Sequence, residues 1–469
     1  MQGDVKNRLG RPVRLTVAEG TEITAEVIEW FLNANKRNLD RYRLLENYYH
    51  NETGIQRRRL DDPDKPNNRI SHAFAKYITK VSTAFFMGRG IRIEAEPPAY
   101  KEALDDAGDT MMAQIRHFEE AKEMGRCGIS FEWLYFDSLG QPRSKNYGAG
   151  EMIPVFSQSR DRYLAFVLHP YRIQYIAQSK PDEEFVDVIE PELLSLWKKP
   201  RGGRWELQER FSHGWSDVPV LIRQNNAELK GDFEDVIPQI DSYDKAQSDT
   251  QNDIDYFSDA YLALTGVSEL AAEDENGDEL SPGAAAKAMK QNRMLYLPEG
   301  CKAEFITKQA DDAVTEHHKD RLRNDIFFLS QVPNLTDESF AGNLSGVAIK
   351  YKLFGLEELV MEKEAYFTSS ELKKVRLLTD YLNIRNGTNW DWKDVKLRFD
   401  RSAVANTLET AQIINYLRDV LSDKTLVGMW PEVEDAAGEL AQKQMEQERL
   451  ENLGGFGGQE KTPPDGEAG

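Results

Sequence analysis

The sequence predicts an α+β chain, and three observations carry that assignment. Residues 128–225 contain ISFEWLYFD, RYLAFVLHPYRIQYIAQ, EFVDVIE and VPVLIRQNN, alternating stretches rich in β-branched and aromatic residues, which is the signature of strands. Two very long patterns with apolar residues at steps of three and four follow, near 237–265 and 347–383, and read as helices. Helical patterns precede these strands and the character switches to β at Gly128, which makes an α+β domain.

Taken in order, residues 1–20 read as an extended arm, and TEIT at 21–24 opens an amphipathic helix to about Tyr49. Gln56-Arg57-Arg58-Arg59 and the loop DDPDKPNN follow; the flanking acids and turn chemistry make this a solvated rim. A second helix, ISHAFAKYITKVSTAFFMG, stops at Gly88, GRGIRIEAE alternates as a strand, and Met111 to Met124 is helical. After the β region, Ile237, Ile240, Tyr243, Ile254, Phe257, Tyr261 and Leu264 mark one face of a helix with Pro238 in its first turn and Gly266 as its stop. Helical throughout, 237–265 spans roughly 43 Å. Its other faces carry Asp241, Asp244, Asp249, Asp253, Asp255 and Asp259 against Lys245, so they read as solvated. A rod with one apolar stripe must pack sideways, and its own neighbours in a ring are the natural candidate.

Residues 267–309 form an insertion in which MLYLP and AEFIT are short strands joined at Glu299-Gly300. A returning helix at 310–330 completes a helix–insertion–helix hairpin. VPNLTDESFAGNLSG is a polar loop, and the next long helix has Gly355 and residues 368–370 as candidate bends. VKLRFD is a strand, two helices run to about Asn452, and residues 453–469 have the composition of a disordered tail.

The 469 residues are 40% hydrophobic, ample for two to four cored regions. A net charge of −21 argues against tight sequence-specific DNA binding, which needs clustered Lys and Arg, but suits a protein past which a duplex slides. No run approaches the ~18 apolar residues of a membrane span, and the N-terminus lacks a signal peptide's apolar core, so a cytosolic chain with no membrane contact is expected. Cys127 and Cys301 are the two cysteines, without CxxC spacing, and read as buried small hydrophobes. His317 and His318 point about 100° apart on a helix and cannot chelate from one face. Asp274-Glu275-Asn276-Gly277-Asp278 has its glycine in the wrong place for a calcium loop. The helical aspartates lack a second ligand cluster for a two-metal nuclease centre. We therefore expect no catalytic residues, no metal and no cofactor.

Three passages resemble the portal (head-to-tail connector) proteins of tailed bacteriophages, in the siphophage branch. They are YYHNETGIQRRR…KPNNRISHAFAKYITKVSTAFFMGRGIRI, RQNNAELKGDFEDVIPQIDSYDKAQSDTQNDIDYFSDAYLALTG and VPNLTDESFAGNLSGVAIKYKLFGLE, and they lie in the family's order. The resemblance implies a ring of about twelve subunits at a capsid vertex through which double-stranded DNA is packaged and ejected. Its parts map as a wing (21–235 and 345–400), a stem (236–266 and 310–331), a clip (267–309), a tunnel loop (332–344) and a crown (401–452). It further implies a virion location with assembly in the host cytoplasm. Implied partners are the terminase packaging motor, a head-completion adaptor, and major capsid and scaffolding proteins. Under this reading Asn334, Thr336, Asp337, Glu338, Ser339 and Asn343 line the DNA channel. Ile254, Phe257, Tyr261 and Leu264 pack stem against stem, and Met294, Tyr296, Phe305 and Ile306 dock partners. The alternatives are a metal-dependent nucleic-acid enzyme, which needs ligands the sequence does not supply, and a cytosolic helical adaptor, which leaves the polar loop unexplained.

Overall fold

A computed structural model describes residues 10–60, 65–160, 163–174, 183–257, 261–265, 302–306, 312–336, 346–401, 407–430, 433 and 436–454. The arm contributes β1 (Leu15–Val17), and the expected first helix is two, α1 (Ala25–Ala34) and α2 (Lys36–Tyr49). They break at Asn35, a buried side chain whose Oδ1 accepts from Asn38, which in turn exchanges two hydrogen bonds of 2.9 Å with the Val13 backbone. The chain continues through α3 (Phe74–Met87), β2 (Ile91–Glu94), α4 (Pro98–Thr110), α5 (Ala113–Cys127), β3 (Ile129–Phe136), β4 (Pro142–Tyr147), β5 (Ile153–Ser157) and β6 (Leu164–Ile173). Then come β7 (Glu183–Ile189), β8 (Leu193–Lys199), β9 (Glu206–Ser212), β10 (Val220–Gln224) and α6 (Ile237–Phe257). After β11 (Tyr261–Thr265) and β12 (Lys302–Ile306) follow α7 (Asp312–Leu329), α8 (Gly346–Asn386) and β13 (Lys396–Phe399). The C-terminal part is α9 (Thr407–Leu417), α10 (Asp423–Gly428) and α11 (Ala436–Gly454), three helices where two are expected. No described helix is long and apolar enough to cross a membrane.

The strands form a six-stranded sheet in the order β1-β5-β6-β7-β8-β9, a three-stranded sheet β10-β3-β4, and the pairs β11-β12 and β13-β2. Only β1-β5 is parallel among these pairings, and β5 to β9 form a meander, as short turns between consecutive strands dictate. Helix α8, 41 residues and roughly 60 Å long, ties the body together. Its Leu356, Val360 and Phe367 enter the core built on α3, α5 and β3, and its Val375, Leu378 and Leu382 enter a second core with Tyr100, Leu134 and Trp215. It runs without a break through Gly355 and 368–370. Gly128 ends α5 at φ +87°, where a Cβ would lie 2.0 Å from the Leu229 carbonyl oxygen, so a glycine is required for the 229–231 segment to cross.

Three expectations are corrected here. The stem helix ends at Phe257, not at 266: Tyr261 and Leu264 lie on β11, paired with β12. The spacing of those residues fits either element, and a strand partner some forty positions away decides it. That partner also means AEFIT pairs with β11, whereas MLYLP lies outside the described residues. The second correction is that the aspartates of α6 are only partly solvated: Asp249 and Asp253 are exposed and Asp259 lies outside the described residues, but Asp241, Asp244 and Asp255 turn inward. Asp241 accepts from Tyr48 Oη at 2.7 Å, and the fully buried Asp244 accepts from Thr53 Oγ1 at 2.7 Å and the His72 N–H at 2.9 Å. Ser248 Oγ accepts from Ile70 N–H, Asn252 Oδ1 from Asn68 N–H, and Asp255 from Asn68 Nδ2 at 2.6 Å. Positions 241, 244, 248, 252 and 255 form one stripe at steps of three and four, and the 48–72 segment is strapped along it. Third, Arg58 of the basic patch is not part of a solvated rim but pairs with Asp249.

This strap yields a test. Asp244→Ala leaves the buried Thr53 hydroxyl and His72 N–H without an acceptor, and should lower unfolding stability by about 2–4 kcal/mol. Asp253→Ala, at an exposed position of the same helix, should change it by less than about 0.5 kcal/mol in the same denaturant titration.

Candidate functional site

The site that family resemblance points to lies where α6, α7 and the start of the 332–344 loop meet. Ile237, Ile240 and Tyr243 bury the first turns of α6 in the core. Aromatic edges from α3 and its approach staple α6 and α7 there: Tyr243 meets Phe74 at 5.2 Å, and Phe327 meets Tyr77 at 5.6 Å. Further along, the buried Lys319 donates to Gln247 at 3.1 Å. Val314, His318 and Leu329 of α7 are exposed, and its buried positions among the described residues are Lys319 and Ile326. The loop leaves α7 through Gln331 at φ +59° and buried Val332. Tyr77 Oη donates to the Pro333 carbonyl at 3.1 Å and accepts from Leu335 N–H at 2.8 Å, while Asn334 Oδ1 accepts from both N–H and Oγ1 of Thr336. An Asx turn on a tyrosine anchor thus fixes the base of the loop.

Of the residues assigned to this site by sequence, Asn334 and Thr336 sit in that turn. Asp337, Glu338, Ser339 and Asn343 lie outside the described residues, as do Met294 and Tyr296. Ile254 is exposed on α6 and Phe257 ends it. Tyr261 and Ile306 are register partners, as are Leu262 and Phe305, so the structure brings residues assigned to two separate contacts onto one strand pair.

Sequence reasoning missed a buried charge cluster in the body of the fold. Arg223 on β10 is fully buried and contacts Glu120 of α5 at 3.1 Å, Glu132 of β3 at 2.9 Å and Glu371 of α8. Buried Lys374 reaches Glu132 at 2.8 Å, and His117 Nε2 lies 3.3 Å from Glu371. Two full cations face three carboxylates. Burial, reinforced by Glu132 and Glu371 and only partly offset by Arg223, raises Glu120 to about 8, so near neutrality it holds a proton and the charges balance. Burial also works against Glu132, but Lys374 and Arg223 outweigh it and hold that carboxyl at about 2. The neighbouring pairs Lys363–Asp232 and Arg41–Glu234 are equally buried. A glutamate inside ISFEWLYF and an arginine inside VLIRQ, both in strands otherwise apolar, were the signal available. Among the described residues no three His, Cys, Asp or Glu side chains gather as a metal site.

What fold and site define is a structural class, an α+β body held by one long helix and bearing a stapled helix pair. The model of the phage portal protein family, SPP1 Gp6-like, matches residues 28–452, and the chain belongs to that family. It has the portal, or head-to-tail connector, role of a structural protein. It is similar to the portal protein of Bacillus phage SPP1 (22% identical over 438 residues, 87% of this chain and 84% of the relative). It is also similar to that of Clostridium phage phiCD119 (23% over 422 residues, 83% and 89%). Among solved structures it resembles chains from the neck of the empty GTA particle with C6 symmetry and of the native GTA particle with C12 symmetry. Both have a TM-score of 0.44, at 12% and 11% identity, covering 76% of this chain and 90% and 89% of theirs.

The cluster predicts a pH dependence. A raised carboxyl stabilises the fold fully below its unfolded value near 4.5, and that contribution is lost as pH rises towards 8. Glu120→Gln should flatten this decline between pH 5 and 9 in thermal unfolding. Arg223→Met, which leaves Lys374 as the one full cation against the buried carboxylates of Glu132 and Glu371, should cost about 3–5 kcal/mol.

Proposed function

We propose that copies of this chain close into a ring of roughly a dozen subunits at a capsid vertex. Double-stranded DNA passes through its central channel without sequence-specific binding. In this reading α6 and α7 form the stem, the segment between them is the clip, residues 332–344 are the tunnel loop, and the C-terminal helices are the crown. The clip engages the terminase packaging motor and later a head-completion adaptor, and the outer body meets major capsid and scaffolding proteins. Rings assemble in the host cytoplasm and end in the virion. Membership of the portal family over residues 28–452 carries the reading. The Tyr77-anchored loop base supports it, since a segment that contacts moving DNA needs a fixed root.

The aspartates at 241, 244, 249 and 255 serve the 48–72 segment, so they are not what keeps DNA unheld. That role falls to the acids of the tunnel loop, where screening over a Debye length of ~8 Å restricts repulsion to near contact. Asp337→Lys with Glu338→Lys should leave rings intact yet shorten the DNA packaged per particle, because added phosphate contacts hold the duplex. Equal DNA lengths in mutant and parent particles at low and moderate salt would remove the loop from the channel.

A further inference from the structure

Helix α8 carries apolar residues on two opposite faces. The inner face, Leu356, Val360 and Phe367, is buried in the core. The outer face exposes Tyr351, Phe354 and Met361, at 79%, 60% and 64% of full exposure. At 3.6 residues per turn these three fall within an arc of about 80°, turned roughly 155° from the inner residues. A helix packed on one side of a body should be polar on the other; a second apolar stripe marks a second partner.

Another exposed triplet stands on α5 and its N-cap: Met112, Ile115 and Phe118, at 58%, 62% and 40% of full exposure. The buried residues of α5, His117 and Glu120 among them, face α8: His117 meets the Phe367 ring at 5.6 Å, and Arg223 bridges Glu120 to Glu371. Hence α5 packs against the inner side of α8. The α5 triplet is turned away from α8, and the outer stripe of α8 is turned away from α5, so the two apolar faces lie on opposite flanks of one body. Exposed Glu358 sits within the α8 stripe, and exposed Glu119 and half-buried Lys122 border the α5 triplet, so it is apolarity that the two faces share.

A ring needs two different, mutually complementary faces on each subunit, whereas a two-fold dimer needs one self-complementary face. We infer that the outer face of α8 in one copy packs against the Met112–Ile115–Phe118 face of the next copy, head to tail. This rests on the ring reading above and assigns its subunit contact to the body, away from the α6–α7 pair.

The test uses the full-length chain with a benzophenone amino acid in place of Phe354. Native mass spectrometry reports assembly, and peptide mapping after irradiation of a mixture of light and heavy-isotope chains reports the partner. The expected result is rings in which the light chain's position 354 is joined to the heavy chain's peptide containing Ile115. Rings whose cross-links map to another peptide, or form only within one chain, would overturn the inference and leave the ring reading standing. A parent chain that forms no rings would overturn both. As a second arm, Phe354→Glu with Met361→Glu should reduce the ring fraction more than tenfold with an unchanged circular dichroism spectrum. Ile384→Glu, an exposed position of α8 outside the stripe, should leave it unchanged. Equal ring fractions in all three proteins would also overturn the inference.

Discussion

The body of this protein depends on one buried cation. Arg223 is the point at which β10, β3, α5 and α8 converge, and its guanidinium serves carboxylates from three of these elements besides its own strand. A buried ion cluster of this kind adds little net stability over a well-packed apolar core, because desolvation offsets most of the Coulombic gain. What it does impose is register. Helix α8 could slide along the sheet by a turn at modest apolar cost, but Glu371 and Lys374 would then lose Arg223 and Glu132, leaving several charges buried and unpaired. The Lys363–Asp232 pair repeats the constraint two turns earlier on the same helix, and Arg41–Glu234 ties the α2 side to the entry of α6. These buried ion pairs therefore position the long helix and the root of the helix pair together.

The second organising feature is the 48–72 strap. It converts what composition presents as a repulsive acidic rod into an internal polar interface, in which aspartates accept hydrogen bonds from a loop of the same chain. Formal charge is a poor guide here to what faces solvent: Asp244 is fully buried and Asp253 is exposed, nine residues apart on one helix.

Much of the architecture is legible in the sequence, because long periodic helices and dense β-branched strands are the strongest signals a chain carries. The α+β assignment, the 41-residue helix and the helix pair all come from such patterns. Legibility fails where a distant partner decides. Tyr261 and Leu264 continue a helical spacing, yet they join β11 because residues 302–306 supply a strand partner. Arg58 reads as a rim charge because Asp249, on an element almost two hundred positions away, cannot be foreseen. Arg223 hides for the same reason: one arginine in a strand is ordinary, and only the fold gathers three glutamates around it. At the candidate site the polar composition of 332–344 is visible, whereas its anchoring by Tyr77 depends on tertiary contact.

The central claim is that this body is one segment of a closed channel. Single-particle cryo-electron microscopy of the purified full-length chain tests it most directly. The account predicts closed rings with a central hole wide enough for duplex DNA, with the α6–α7 pair around that hole and the Arg223 cluster intact in every subunit. Particles without a hole, or a chain that stays monomeric at the concentrations used for imaging, would contradict it.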